Sequence, residues 1–97
     1  MNISGFDWDH HNTEKVQKHG LTIRQIEEFL HGDLFIRPDD LHSNDETRFI
    51  VFGKYFNRYI YVSLTIRAVG GVLKFRVISA RYANKKEIGK FYEENKK

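Results

Sequence analysis

The stretch "KFRVISARYANKK", residues 74–86, carries Lys74, Arg76, Arg81, Lys85 and Lys86 and no acid. It belongs to a longer block. Residues 48–86 hold nine bases and no acid, while residues 1–47 hold ten acids and four bases and residues 87–97 balance at three and three. The overall charge of +3 therefore hides a strong asymmetry. Like charges crowded on one sheet repel, so mixed signs are the usual surface pattern. A basic block of this size implies an anionic partner.

Each of these residues carries two readings. Arginine grips phosphate through paired hydrogen bonds, which suits Arg81 at a strand end; otherwise Arg81 pairs with an acid of the first half. Arg48 either meets phosphate or simply pairs with Glu46, two residues earlier. Arg67, Lys74 and Arg76 share a strand face, as contacts to an anion or as ordinary cross-strand decoration. Lys85 and Lys86 open a helix, where cations oppose the macrodipole; contact with an anionic partner would explain them. Glu87 is a capping residue or a base. His19 lies near a helix C-terminus, a stabilising position for it. His42 falls in an acidic loop. Tyr61 and Tyr92 have rings on which bases stack, although Tyr92, beside Ile88 and Phe91, is expected in the core. His10 and His11 are adjacent and point about 100° apart on a helix, so they do not read as a metal pair. No Gly-rich phosphate loop and no Ser-His-Asp context is present.

The elements that must position these residues follow from periodicity. Phe6–Asp9 reads as a short edge strand or an extended lead-in, and residues 10–19 as a weak helix stopped by Gly20. Thr22 with Gln25 forms a capping box, with Leu21 and Ile26 as a hydrophobic staple, for a helix over 23–31. A strand at 33–37 is closed by Pro38, and 39–45 is an acidic loop. Three strands follow at 47–54, 58–67 and 72–80, joined by short turns, which imply an antiparallel meander. In the middle strand Ile60, Val62, Leu64 and Ile66 oppose Tyr59, Tyr61, Ser63, Thr65 and Arg67. The apolar face is expected against the helices. The other face gathers Arg48, Tyr59, Tyr61, Arg67, Lys74 and Arg76, with Ile50, Phe52 and Ile78 among them. Asn84 with Glu87 caps a last helix. The expectation is an α+β domain spanning 1–97, with about four antiparallel strands, two N-terminal helices and one C-terminal helix, mainly on one face.

Ninety-seven residues suffice for one domain. No cysteine is present, which excludes disulfides and thiolate metal sites. The N-terminus lacks the basic and apolar regions of a signal peptide, and no apolar run approaches the roughly 18 residues of a membrane span. The chain reads as soluble and cytoplasmic.

Five patches together resemble one family: "FDWDHHN", "KHGLT", "DDLHSNDETRFIVFG", "VISARYANKKE" and the aromatic Tyr92. In order and spacing they are similar to the BrnT toxins of type II toxin–antitoxin systems, over roughly residues 6–93. Where that family often places Arg after the Glu of its last helix, Ile88 and Gly89 stand here. The resemblance implies a fold related to the RelE toxins. It implies a ribonuclease that inhibits translation and needs no metal or other cofactor. It implies a BrnA-like antitoxin that binds DNA on behalf of the complex, and either a homodimer or a toxin–antitoxin hetero-oligomer. RNA carries its own 2′-hydroxyl nucleophile, so such a site needs only a base, a phosphate grip and help for the leaving oxygen. His19, Glu46, Arg48, Arg81 and Glu87 are the residues expected to supply these. Arg67, Lys74, Arg76, Lys85, Lys86 and Tyr61 are expected to hold the RNA. The rival expectation is a domain of the same fold that binds RNA or protein without cleaving.

Overall fold

The alternating segment 58–69 becomes the middle of a sheet. The structure is a computed structural model that describes residues 3–42 and 46–94. Along the chain come β1 (Ile3–Phe6), α1 (His10–Val16), α2 (Ile23–Leu30), β2 (Phe35–Pro38), β3 (Arg48–Tyr55), β4 (Arg58–Val69), β5 (Val72–Tyr82) and α3 (Lys85–Glu94). A single 3-10 turn, Asp40–His42, occupies the acidic loop. The five strands lie in the order β1-β5-β4-β3-β2. All neighbours are antiparallel except β1, which runs parallel to β5.

The N-terminal strand lies earlier than Phe6–Asp9. Asp9 is taken by the start of α1, where its side chain accepts from the Asn12 backbone N–H at 2.8 Å. α1 is also shorter than 10–19. Beyond Val16 the residues Gln17, Lys18, His19 and Gly20 are all exposed, so no apolar anchor holds another turn on the core. Gly20 has φ of +91°, the left-handed conformation a chain reversal needs there. The Thr22–Gln25 capping box forms in full, with hydrogen bonds of 3.1 and 2.9 Å, and Leu21 and Ile26 flank it in the core.

Val16, Ile26 and Phe29 from α1 and α2 pack on Val51, Ile60, Val62, Leu64 and Val77 of the sheet. α3 does not join them. It crosses to the opposite face, where its Phe91 sits 4.4 Å from the Phe52 ring and 4.7 Å from the Phe35 ring. The reason is visible in the register. Ile50 pairs with Ser63, and Phe52 pairs with Tyr61, so two large apolar side chains stand on the otherwise polar face. α3 covers them, where the sequence led us to expect helices mainly on one face.

The β4–β5 register carries one irregularity. Ser63 pairs with Ser79 but Leu64 pairs with Val77, leaving Ile78 as an extra residue in β5. Among the described residues no helix is long and apolar enough to cross a membrane.

Candidate nucleic-acid interface

Arg81 and Tyr61 are cross-strand partners on the face that α3 partly covers. The Arg81 guanidinium lies 4.5 Å from the centre of the Tyr61 ring, a cation–π distance. Its Nη1 and Nη2 each donate to one oxygen of Glu87 at 2.6 Å. Glu87 also accepts from the Asn84 backbone N–H at 3.0 Å, and Asn84 returns a side-chain bond to the Glu87 N–H at 2.8 Å. Glu87 is thus the capping residue of α3 and the partner of Arg81 at once.

That end-on pairing uses one N–H from each terminal nitrogen. The Nε–H and the second Nη2–H remain as a side-on fork, with no partner among the described residues, and such a fork matches two phosphate oxygens. The Tyr61 hydroxyl likewise has no hydrogen-bond partner among them. The hydrogen bonds from Arg81 hold the Glu87 carboxyl below its usual range, and the same pairing raises Arg81 further. Burial pushes the Tyr61 phenol up, with the nearby Glu87 charge adding to it, so the hydroxyl stays protonated.

Beside this cluster a cleft of about 370 Å³ opens between α3 and the sheet. Phe35, Ile50, Phe52, Tyr61 and Phe91 form its apolar wall. Arg37, Glu87, Lys90 and Glu94 supply its polar edge. Arg37 bonds Glu94 at 3.1 Å, tying β2 to the end of α3.

A second cluster alternates charge across the same face. Arg76 meets Asp9 at 2.6 Å and Asp7 at 3.6 Å. Arg67 lies 4.0 Å from Asp7 and 3.7 Å from Glu46. Arg48 lies 3.9 Å from the other oxygen of Glu46. The expected Arg48–Glu46 pair is present, and Arg67 and Arg76, read from sequence as RNA contacts or cross-strand decoration, also meet acids from the first half of the chain. Arg81 pairs instead with Glu87 of the second half, because Glu87, as the cap of α3, stands beside the end of β5. Lys74, register partner of Arg67, has no ion-pair partner among the described residues. Neither do Lys85 and Lys86, the first residues of α3.

The structure thus brings Arg81, Glu87 and Tyr61 together, and separately Glu46, Arg48, Arg67 and Arg76. His19 joins neither. It follows α1 on the other face of the sheet, where the adjoining Gly20 approaches Tyr82. The side chain of His42 lies outside what the structure describes. Tyr92 is not in the core: it is 55% exposed, and its hydroxyl hydrogen-bonds that of Tyr59. Sequence reasoning passed over Asp7 and Asp9 as arginine partners, and over the aromatic cleft. The one available signal for the cleft was Ile50 and Phe52 standing on a polar face.

No curated relative matches the chain. The family model described as "Ribonuclease toxin, BrnT, of type II toxin-antitoxin system" matches residues 8–87, which takes in the basic block and every residue of the two clusters except Asp7, and stops at Glu87. With most of its length covered by that match, the chain belongs to the BrnT family of ribonuclease toxins of type II toxin–antitoxin systems.

Proposed function

We propose that this toxin is a metal-independent endoribonuclease centred on Arg81, Tyr61 and Glu87, acting in the cytoplasm to stop translation. The observation that carries the reading is the half-used guanidinium of Arg81. One fork is clamped by Glu87, and the other is open beside a protonated phenol.

In this mechanism the open fork and the Tyr61 hydroxyl hold the non-bridging oxygens of the scissile phosphate. Their positive charge and hydrogen bonds favour the pentacoordinate state. Glu87 takes the 2′-hydroxyl proton. The 2′-oxygen bonds to phosphorus, the bond to the 5′-oxygen breaks, and water returns a proton to that oxygen. The products are a 2′,3′-cyclic phosphate and a 5′-hydroxyl. Alone with Arg81, Glu87 is a weak base, because its depressed pKa comes first from that arginine. A phosphate that competes for the guanidinium relaxes the depression and strengthens the base. Glu46 is less suited, being shared between Arg48 and Arg67. His19 is on the far face. Metal independence belongs to the proposal because Arg81, Tyr61 and Glu87 between them offer a phosphate grip, a neutral hydrogen-bond donor and a base. Lys74, Lys85 and Lys86 guide the strand.

A BrnA-like antitoxin would neutralise the toxin by covering this face with an acidic segment, and DNA contact would come through that partner alone. One observation favours a rival reading, a domain that binds RNA or protein without cleaving it. Arg48, Arg67, Arg76 and Arg81 all have carboxylate partners.

Inducing the toxin without an antitoxin, and incubating the purified chain with RNA and a chelator, separates the two. Growth arrest and chelator-resistant cleavage, both abolished by Arg81→Ala, are expected. Intact RNA with normal growth would leave the binding reading in possession.

A further inference from the structure

Accepting the nuclease reading, we infer that the cleft under α3 is a nucleobase subsite that selects guanine. The argument begins with its walls. Phe35, Phe52, Tyr61 and Phe91 surround an opening whose volume of about 370 Å³ lies in the range of small-ligand sites. Unpaired RNA bases bind by stacking on aromatic rings, with their polar edges read by side chains. Tyr61 lines the cleft and carries the Arg81 guanidinium 4.5 Å from its ring centre. A nucleotide whose phosphate occupies the open fork of Arg81 therefore has its base directed at the aromatic wall.

The edge of the cleft decides which base. Glu87, Lys90 and Glu94 lie on one face of α3, at spacings of three and four residues. Glu87 is held against Arg81 and Asn84, and in the proposed reaction its remaining acceptor capacity faces the ribose 2′-hydroxyl rather than the base. Glu94 gives only one oxygen to Arg37. Lys90 has no ion-pair partner among the described residues. The cleft thus presents one available carboxylate and, a turn away, one available ammonium. Guanine has two adjacent N–H donors, N1–H and N2–H, next to the O6 acceptor. A carboxylate accepts both donors while a lysine approaches O6 or N7. Adenine and cytosine place a ring acceptor beside the amino group, which a carboxylate repels. Uracil places a single N–H between two carbonyls. Charge complementarity also favours a nucleotide as occupant, with the Arg81 guanidinium on the cleft residue Tyr61 and with Lys85 and Lys86 in the first turn of α3.

The test uses the full chain and the four nucleoside 3′-monophosphates, which cannot be cleaved. Affinities come from calorimetry and contact residues from amide NMR shifts. Guanosine 3′-monophosphate is expected to bind about tenfold tighter than the others or better, with shifts at Phe35, Phe52, Tyr61 and Phe91. Glu94→Ala should erase the preference while phosphate-dependent binding survives. Lys90→Ala should weaken guanosine binding selectively. Both residues are exposed, so the variants keep the fold. Equal affinities for all four nucleotides would overturn the inference. So would shifts confined to the Arg48, Arg67 and Arg76 cluster, or a cleft that responds to an acidic peptide and to no nucleotide. Cleavage through Arg81 with no base preference would sink the subsite and spare the nuclease. Guanosine bound in the cleft of a chain that leaves RNA intact would uphold the subsite and sink the nuclease.

Discussion

Arg76 and Arg81 project from the same face of β5 although they stand five positions apart. Side chains alternate along a strand, so an odd offset puts two residues on opposite faces. The extra residue Ile78 restores the phase. Without it Arg81 would point at the buried layer under α1 and α2, where an arginine has no place. The bulge therefore brings Arg81 onto Tyr61, beside the cleft.

Tyr61→Phe separates the ring from the hydroxyl. The ring keeps Arg81 stacked, so the thermal midpoint should scarcely change. If the hydroxyl holds the phosphate in the transition state, cleavage should fall about 10²-fold. Because burial raises the phenol above 10.0, the wild-type rate should show no alkaline decline from this group between about pH 7 and pH 9. Rate profiles of both proteins check this.

Acid should weaken the fold partly through Glu87. Its folded pKa lies below the free value of 4.5, chiefly because of Arg81. The stability it contributes is complete above that value and is lost as pH falls through the folded pKa, where the unfolded chain binds the extra proton. Urea midpoints measured from about pH 6 to pH 3 should fall less steeply in Glu87→Gln than in the wild type. A limb from Asp9 and Glu28, which are also lowered, should remain.

Arg76→Ala should act on stability more than on cleavage. The Arg76 side chain is only 18% exposed and joins β5 to Asp7 and Asp9, between β1 and α1. Its loss leaves two acids facing each other without the cation. We expect a loss of about 1–3 kcal/mol, with cleavage at saturating RNA changed only slightly. Denaturation curves set against single-turnover rates decide it.

Gly89→Ala should stabilise the protein. Gly89 lies inside α3, and a Cβ there would meet no atom within 4 Å. Alanine is favoured over glycine in a helix interior by about 1 kcal/mol. A higher thermal midpoint with unchanged cleavage is the expected result. A fall in cleavage would mean that α3 must flex for RNA to enter.

Much of the scaffold was legible because its causes are local. The Thr22–Gln25 and Asn84–Glu87 caps, the alternation of β4 and the short turns of the meander depend on neighbours in sequence, and they stand within a residue or two of where periodicity put them. The parallel pairing of β1 with β5, residue 3 against residue 73, could not be read in this way, because nothing local specifies a partner seventy residues away. Ile50 and Phe52 announced an apolar interruption on the polar face, but only the tertiary structure decided that α3 fills it. The same holds for the charges. Composition alone determined that a basic block of 39 residues must meet something anionic. Whether that is a carboxylate of the same chain or a phosphate from outside depends on distances across strands. The fold answered each case separately. It turned Arg48, Arg67 and Arg76 toward Asp7, Asp9 and Glu46, and by inserting one residue into β5 it left Arg81 with a fork still open.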